Sequence, residues 1–259
     1  NYGQRGTLEA RAKARPRTRL HRASASVAAL MAESDLAFGA GGGTTWERMC
    51  VGLPTILVSV AENQASACRD LAAAGLARYL GSDREASVEI LRDALRVSIA
   101  SPETLDAQSA EGQALVDGLG AARVAEVMFP TRTEALSLRP ARADDAHIFY
   151  SWANDPEVRR QSLDTRPIAW SQHKAWFDAR LASAASRLFV LLAGDLPVGQ
   201  VRFDRHQGES LVDYSIDPLF RGRGWAVPMM RLGMRETAAT WDGPTRAEVK
   251  DGNAASCAV

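Results

Sequence analysis

The first half of the chain alternates between two patterns of hydrophobic and polar residues. Short runs that are apolar on both faces, at residues 35–39 and 54–60, are typical of strands in a parallel sheet that is covered on both sides. Between these runs, apolar residues recur three or four positions apart, which indicates helices. We therefore predict an α/β domain over residues 1–130, with a Rossmann-like parallel sheet.

The predicted elements of this half follow one another closely. Helices are predicted over residues 8–15, 26–33, 45–51, 63–74, 86–100 and 121–129. Strands are predicted over residues 17–21, 35–39, 54–60 and 77–80. Prolines and polar residues at 130–135 interrupt the pattern, so we place the boundary between two domains, 1–130 and 131–259, there.

The second half has a different order of elements. One strand, two helices, three strands in close succession, a helix and a last strand are predicted, over residues 136–140, 144–153, 171–182, 187–193, 197–204, 210–216, 226–239 and 245–249. Turn residues separate the three successive strands, which predicts that they are antiparallel neighbours. This half is therefore expected to be an α+β domain with a mixed, largely antiparallel sheet.

Composition and charge narrow the classes of function. The 259 residues contain 31 basic and 31 acidic side chains, and this balance argues against a general nucleic-acid binder or an electrostatically anchored membrane protein. A basic stretch over residues 5–22 has no interleaved aromatic residues, which favours a solvated helix face over an RNA site. No apolar run is long enough to span a membrane.

Cysteine and histidine usage indicates the compartment and argues against a metal site. Cys50, Cys68 and Cys257 are odd in number and widely spaced, and the four histidines are scattered. We expect free thiols in a reducing cytoplasm and no metal. The chain begins without Met and stops directly after the predicted start of a helix, so we expect it to be a fragment of a longer protein.

A glycine-rich turn lies between the strand at 210–216 and the helix that begins near Val227. Its residues are Arg221, Gly222, Arg223, Gly224, Trp225 and Ala226. Such a turn leaves backbone N–H groups free at the positive end of the helix dipole, where a pyrophosphate can bind. The two arginines are expected to add cationic donors. The alternative is a basic surface turn that binds nothing.

The second half resembles the GNAT family of N-acetyltransferases. Arg221, Gly224 and Ala226 occupy the positions of the family's R/Q-x-x-G-x-G/A signature, and residues 138–141 and 144–146 resemble its first strand and helix. Residues 154–159 and 168–177 resemble its substrate-side helices, and residues 253–256 stand where the family has Asn-x-x-Ser.

This resemblance implies acetyl-CoA as the donor and a primary amine as the acceptor. The pyrophosphate of acetyl-CoA would bind to the turn over residues 221–226, and its pantetheine arm would pair with the strand at Tyr214, Ser215 and Ile216. Asn253 would contact the pantetheine, and Ser256 would lie near the thioester.

The catalytic groups are less defined than the acetyl-CoA site. Asp213 lies beside the expected thioester as a candidate base, and Tyr214 is the other candidate on this strand. Since successive side chains alternate, we expect only one of the two to face the cleft. Asp213 could equally be an exposed strand residue. Asn154 and Arg159 are candidate acceptor contacts or, alternatively, parts of a capping turn.

A second glycine-rich segment follows the strand at 35–39. Its glycines would let a diphosphate approach a helix N-terminus, hydroxyl groups would add donors, and Glu47 could accept hydrogen bonds from a ribose. A further pair of polar residues is expected at the same sheet edge. The candidate residues are Gly41, Gly42, Gly43, Thr44, Thr45, Glu47, Asn63 and Gln64. The alternative is a flexible linker with Asn63 as a helix cap.

The first half resembles the C-terminal domain of GT-B-type nucleotide-sugar enzymes, and within them the UDP-sugar hydrolases of pseudaminic acid biosynthesis. The resemblance rests on the pattern G-A-G-G-x-T-x-W-E-R, G-L-P and A-E-N-Q. It implies that residues 41–45 and Glu47 hold UDP, while Asn63 and Gln64 reach the diphosphate or the sugar. The catalytic histidine of that family would lie in a domain before residue 1.

The two resemblances together predict a fused enzyme truncated at both ends. N-acetylation of a UDP-4-amino-sugar and removal of UDP are consecutive reactions of pseudaminic acid synthesis, so both halves would recognise the same nucleotide sugar. Two alternatives stay open. The acetyltransferase could act on a protein N-terminus or another small amine, or the chain could be a non-catalytic module that binds UDP-sugars.

Overall fold

The computed structural model describes residues 5–21 and 26–259, and within them the first half contains a parallel sheet. Its strands are β1 (Ala37–Ala40), β2 (Thr55–Ser59) and β3 (Arg78–Ser82), in the order β1-β2-β3. Both pairings are parallel, as predicted. Seven helices accompany these strands: α1 (Arg5–Lys13), α2 (Val27–Ala32), α3 (Thr44–Cys50), α4 (Glu62–Ala73), α5 (Val88–Ile99), α6 (Pro102–Leu115) and α7 (Gly120–Met128).

The central strand β2 explains why this sheet forms. All five of its residues are buried, and Ile56 and Leu57 have no exposed surface. Met49 of α3 and Cys68 of α4 pack with Leu57 in one apolar cluster. The continuous apolar run is thus accounted for by a strand covered on both faces.

Two elements of this half differ from the sequence-based expectation. Residues 17–21 form no strand, because the chain turns at Arg17, whose φ is +61°, and no neighbouring strand pairs with the segment among the described residues. The helix α6 was not predicted. It buries only small residues, Ala110 and Gly112, and packs between α3 and the helices of the second half.

The second half forms a five-stranded mixed sheet. Its strands are β4 (Leu136–Pro140), β5 (Ser186–Ala193), β6 (Leu196–His206), β7 (Glu209–Ile216) and β8 (Thr245–Ala247), and they lie in chain order. Strands β4 to β7 are antiparallel neighbours, and β8 runs parallel to β7. The predicted mixed, largely antiparallel sheet is confirmed. The helices are α8 (Ala146–Ala153), α9 (Pro156–Gln161), α10 (Trp170–Ala182), α11 (Ala226–Ala238) and α12 (Ala254–Cys257).

An apolar core covers each face of this sheet. On one face, Val201 and Phe203 of β6 pack with Met229 of α11, and all three are fully buried. On the other face, Val190 of β5 and Phe177 of α10 are fully buried in a cluster with α8. The alternation of side chains along the strands therefore supplies both cores.

Strands β7 and β8 separate after a short pairing. The pairing runs from Ser210 with Thr245 to Val212 with Ala247, and β8 ends there. Residues 213–216 of β7 continue along β6 on the other side, with no described strand beyond them. The sheet therefore opens into a gap beside the second half of β7.

The buried histidine of α10 predicts a dependence of stability on acidity. His173 is 2% exposed, and desolvation lowers its pKa to about 4, although its ring nitrogen Nε2 lies 2.9 Å from the Ala146 carbonyl oxygen. The unfolded chain takes up a proton near pH 6.5, which the folded protein does not accept until about pH 4. The free energy of unfolding should therefore fall by about 2 to 3 kcal/mol over this interval.

Denaturant titrations between pH 7 and pH 4 measure this dependence. His173→Gln should flatten the decline, because it removes the titrating ring from the buried site. His206→Gln, at the exposed end of β6, is the matched control and should retain the decline of the parent. An unchanged decline in His173→Gln would show that other groups cause it.

Candidate active site

A cleft of about 1380 Å³ opens at the gap beside β7. Its lining comes from the second half of β7, the turn over residues 221–226, the segment around α9 and α10, and the chain that follows β8. The cleft thus reaches both faces of the sheet at its open edge.

The glycine-rich turn forms one wall of this cleft. Gly222 and Gly224 have φ angles of +79° and +74°, which L side chains adopt rarely, and a Cβ at either position would meet no atom within 4 Å. No backbone N–H of residues 221–226 donates a hydrogen bond to another described residue. Because α11 begins at Ala226, these N–H groups lie at the positive end of a 13-residue helix.

The two arginines of the turn are held by ion pairs. Arg221 donates to the Asp155 carboxylate at 2.5 Å and to the Ile216 carbonyl oxygen at 3.2 Å. Arg223 donates to the Glu126 carboxylate at 2.9 Å. Both guanidinium groups line the cleft, but each is positioned by a carboxylate far away in the sequence.

Asp213 lies on the face of the sheet that α10 covers. Gln200 Nε2 donates to Asp213 Oδ1 at 3.2 Å, and Arg202 Nη2 lies 3.9 Å from Asp213 Oδ2. The carboxylate is 55% exposed, so it is open to the cleft. Sequence reasoning missed Gln200 and Arg202, which β6 places opposite Ser215 and Asp213. Once the hairpin is aligned, residue alternation identifies them.

Tyr214 lines the same cleft from the opposite face of β7. Its hydroxyl donates to Ser256 Oγ at 3.3 Å, and Ser256 lies on α12. The expectation that only one of Asp213 and Tyr214 faces the cleft was wrong, because the gap beside β7 opens both faces of the strand. Ser215 is buried and receives a hydrogen bond from Gln200 Nε2 at 3.4 Å, while Ile216 lines the cleft.

Asn253 also lines the cleft, and its side chain caps a helix. Its Oδ1 accepts the Ser256 N–H at 3.2 Å at the start of α12. The predicted pantetheine contact would therefore fall to the other side-chain atom, Nδ2.

The two candidate acceptor contacts are separated by the structure. Arg159 lines the cleft, where it donates to the Ala153 and Asp164 carbonyl oxygens and to Ser162 Oγ. Desolvation lowers its pKa.

Asn154 does not line this cleft and instead faces a second cavity of about 430 Å³. Its amide bonds with both backbone groups of Ile168, because α8 ends at this point and the loop returns to it. The structure thus gives Asn154 the role of holding a loop, and the expectation that it contacts the acceptor is corrected.

The glycine-rich segment of the first half lies at the carboxyl end of β1. Gly41, Gly42 and Gly43 form the turn into α3, and Gln64 lies beside them, with its Oε1 accepting the Val60 N–H at 3.0 Å. A Cβ at Gly41 would lie 2.0 Å from the Cys68 sulfur, so close packing also requires this glycine.

The hydroxyl and acidic candidates of that segment differ in accessibility. Thr45 is buried, and its hydroxyl accepts a hydrogen bond from Arg48 Nη2 at 3.2 Å, so the structure does not present it to a ligand. Thr44, Glu47 and Asn63 are exposed. The parallel sheet brings residues 41–44 and 63–64 to one edge, as expected for loops that follow neighbouring parallel strands.

Among residues 5–21 and 26–259, no group of three or more His, Cys, Asp or Glu side chains could hold a metal ion. Within the same ranges, no helix has the length and apolar character needed to cross a membrane.

The free N–H groups, the open strand edge and the cleft between them lie within one part of the chain. Residues 135–259 match the protein family described as the Acetyltransferase (GNAT) domain. This part of the chain is therefore a GNAT acetyltransferase domain, which transfers acetyl groups with acetyl-CoA as co-substrate.

Solved structures with a similar domain have low sequence identity to this chain. Spermidine N-acetyltransferase from Vibrio cholerae, in complex with CoA and spermine, is 15% identical, with a TM-score of 0.38, over 41% of this chain and 66% of that protein. An N-acetyltransferase from Staphylococcus aureus Mu50 is 18% identical, with a TM-score of 0.40, over 48% of this chain and 78% of that protein.

The ribosomal L7/L12 alpha-N-protein acetyltransferase RimL, in complex with coenzyme A, is 16% identical, with a TM-score of 0.43, over 50% of this chain and 78% of that protein. The chain thus spans about two thirds of the first of these relatives and about four fifths of the other two. Comparison with curated proteins gave no match.

Proposed function

We propose that this chain transfers the acetyl group of acetyl-CoA to the amino group of a UDP-4-amino-sugar, as in pseudaminic acid biosynthesis. The observation that carries the proposal is the cleft itself. It places the unpaired N–H groups of residues 221–226, the open edge of β7 and the carboxylate of Asp213 around one space.

The donor half of the cleft suits a CoA molecule. A pyrophosphate on the N–H groups of the turn would receive charge-assisted hydrogen bonds at a helix N-terminus. A pantetheine arm would then run along Tyr214 and Ile216, where β8 has separated from β7. Its amide groups can pair with the strand in the way a neighbouring strand would.

The reaction needs few groups once both molecules are bound. The amine nitrogen attacks the thioester carbonyl carbon, a C–N bond forms, and the C–S bond breaks. Asp213 is proposed to accept the amine proton, directly or through a water molecule. The hydroxyl pair of Tyr214 and Ser256 is proposed to return a proton to the thiolate, and the rest of the rate acceleration comes from proximity.

The cleft wall away from the glycine-rich turn is balanced in charge. Its four basic side chains, Arg159, Arg166, Arg202 and Lys250, stand against the four acidic side chains Glu157, Asp164, Asp213 and Glu248. This balance does not by itself select an anionic or a cationic acceptor, so the first half of the chain supplies the argument for a nucleotide sugar. The exposed residues Thr44, Glu47 and Asn63 and the resemblance of the first half to nucleotide-sugar enzymes support the same acceptor.

Release of free thiol from acetyl-CoA tests the proposal. We expect release with a UDP-4-amino-sugar and none with the matched UDP-sugar that carries a hydroxyl group at C4. Turnover with a peptide N-terminus or a polyamine, and not with the nucleotide sugar, would overturn this acceptor. UDP binding without acetyl-CoA binding, both measured by calorimetry, would leave only a docking module.

A further inference from the structure

A buried ion pair joins the acetyltransferase domain to a residue outside its boundaries. Glu126 lies on α7, before the matched domain begins at residue 135. Its carboxylate is 5% exposed and accepts a hydrogen bond from Arg223 Nη1 at 2.9 Å. Arg223 is the third residue of the glycine-rich turn, so this bond joins the first half of the chain to the acetyl-CoA site.

Each partner of this ion pair is fixed from several sides. Glu126 also accepts the Thr131 N–H at 2.9 Å and the Thr131 hydroxyl at 2.7 Å. The Arg223 guanidinium lies over the rings of Phe220 and Trp225, at 5.0 Å and 5.1 Å from their centroids. Both rings are buried, and they stack on each other. The guanidinium is thus held between two aromatic rings and a buried carboxylate.

The position of this contact matters because it lies in the middle of the turn, whereas the pairing of Arg221 with Asp155 and the burial of Trp225 hold its two ends. Gly222 and Gly224 flank Arg223, both have positive φ angles, and neither has a neighbouring atom within 4 Å of an added Cβ. The N–H groups of residues 221–226 make no hydrogen bond to described residues. Arg223 is therefore the anchored residue between two glycines, and its ion pair contributes to the direction of the N–H groups.

We infer that Glu126 is a positioning residue for acetyl-CoA: through Arg223 it holds the pyrophosphate-binding turn in its binding geometry. The inference rests on the proposed function, since it requires acetyl-CoA to bind at this turn. It assigns α7, a helix of the first half, to the acetyl-CoA site. Glu126 itself does not touch the reacting atoms.

Substitution of Glu126 by Gln tests this role. Because Glu126→Gln removes the charge that holds Arg223, we expect the Kd and KM for acetyl-CoA to rise about tenfold. The kcat at saturating acetyl-CoA should stay within about twofold of the parent, since the reacting groups are untouched. Glu134→Gln, an exposed glutamate eight residues further on, is the matched control and should leave both parameters unchanged.

A double-mutant cycle separates positioning from a general loss of structure. Arg223→Gln breaks the same ion pair by replacing its other partner, which lines the cleft. The double variant should bind acetyl-CoA no more weakly than the weaker single variant, because both changes break one contact. Melting temperatures without acetyl-CoA identify any variant that fails to fold. If Glu126→Gln does not fold, the affinity of Arg223→Gln for acetyl-CoA tests the inference instead.

Different results would overturn the role of Glu126 and the proposed function. Unchanged acetyl-CoA affinity in Glu126→Gln, in a chain whose parent binds acetyl-CoA, overturns the role of Glu126. Additive losses in the double variant, or a fall in kcat without a change in KM, also overturn it. A parent chain that does not bind acetyl-CoA overturns the proposed function instead.

Discussion

Replacing Gly224 by Val is expected to raise the KM for acetyl-CoA about a hundredfold, which corresponds to the loss of about two charge-assisted hydrogen bonds. Gly224 has a φ of +74° and lines the cleft with open space above it. A branched side chain there would shift the turn and occupy the space where the pyrophosphate meets the N–H groups. Steady-state kinetics with varied acetyl-CoA measure the effect.

Gly194 provides a control with the same backbone strain. It lies in the turn between β5 and β6, its φ is +60°, and an added Cβ would meet no atom within 4 Å. Gly194→Val should therefore lower the melting temperature about as much as Gly224→Val and leave the KM for acetyl-CoA unchanged. Equal KM values for acetyl-CoA in the two variants would show that the turn is not part of the acetyl-CoA site.

The second large effect is expected at Asp213. Asp213→Asn keeps the shape of the side chain and can still contact Gln200 and Arg202, but it can no longer accept the amine proton. We expect kcat to fall by about 100-fold or more, with the KM for acetyl-CoA within about twofold of the parent. Thiol release under saturating substrates measures this change.

Glu248 is the matched acidic control for this experiment. It lines the same cleft, its side chain is 59% exposed, and it pairs with Arg246. Glu248→Gln removes one negative charge from the lining and should leave kcat nearly unchanged. If Asp213→Asn keeps most of the parent's kcat, the proton is accepted by another group or by water alone.

The second half could be predicted closely because its elements have strong local signals. The strand at 136–140 was predicted with the bounds that the structure shows, and the hairpin strands β5 to β7 differ from their predictions by one or two residues at most ends. Alternating apolar residues and turn residues determine such strands locally. The glycine signature likewise located the turn before α11.

Helix α6 lacks the apolar pattern from which the other helices were predicted. Its buried positions are small residues, Ala110 and Gly112, so no apolar stripe marks it. A Cβ at Gly112 would lie 3.5 Å from Met49, an ordinary van der Waals contact, so a small side chain fits at this position. Ser101 followed by Pro102 at the first turn is the sequence signal that could have identified its start.

The partners of the turn could not be predicted from sequence because they are distant in the chain. Arg221 and Arg223 were expected to be free donors to the pyrophosphate. Their carboxylate partners, Asp155 and Glu126, lie 66 and 97 residues away. Only the packing of α7 and α9 against the turn brings these charges together, and no local pattern encodes that.

The early separation of β7 and β8 has a thermodynamic consequence. In the proposed complex the pantetheine arm would take the place of a missing strand beside residues 213–216, so the co-substrate would supply sheet contacts that the described polypeptide lacks there. The segment after β8 and α12 would then be ordered in part by a metabolite. The thermal stability of the protein should rise with the logarithm of the acetyl-CoA concentration above its Kd, by about 2.7 kcal/mol at a hundredfold excess over Kd. The lifetime of the folded enzyme would thus follow the supply of its own acetyl donor.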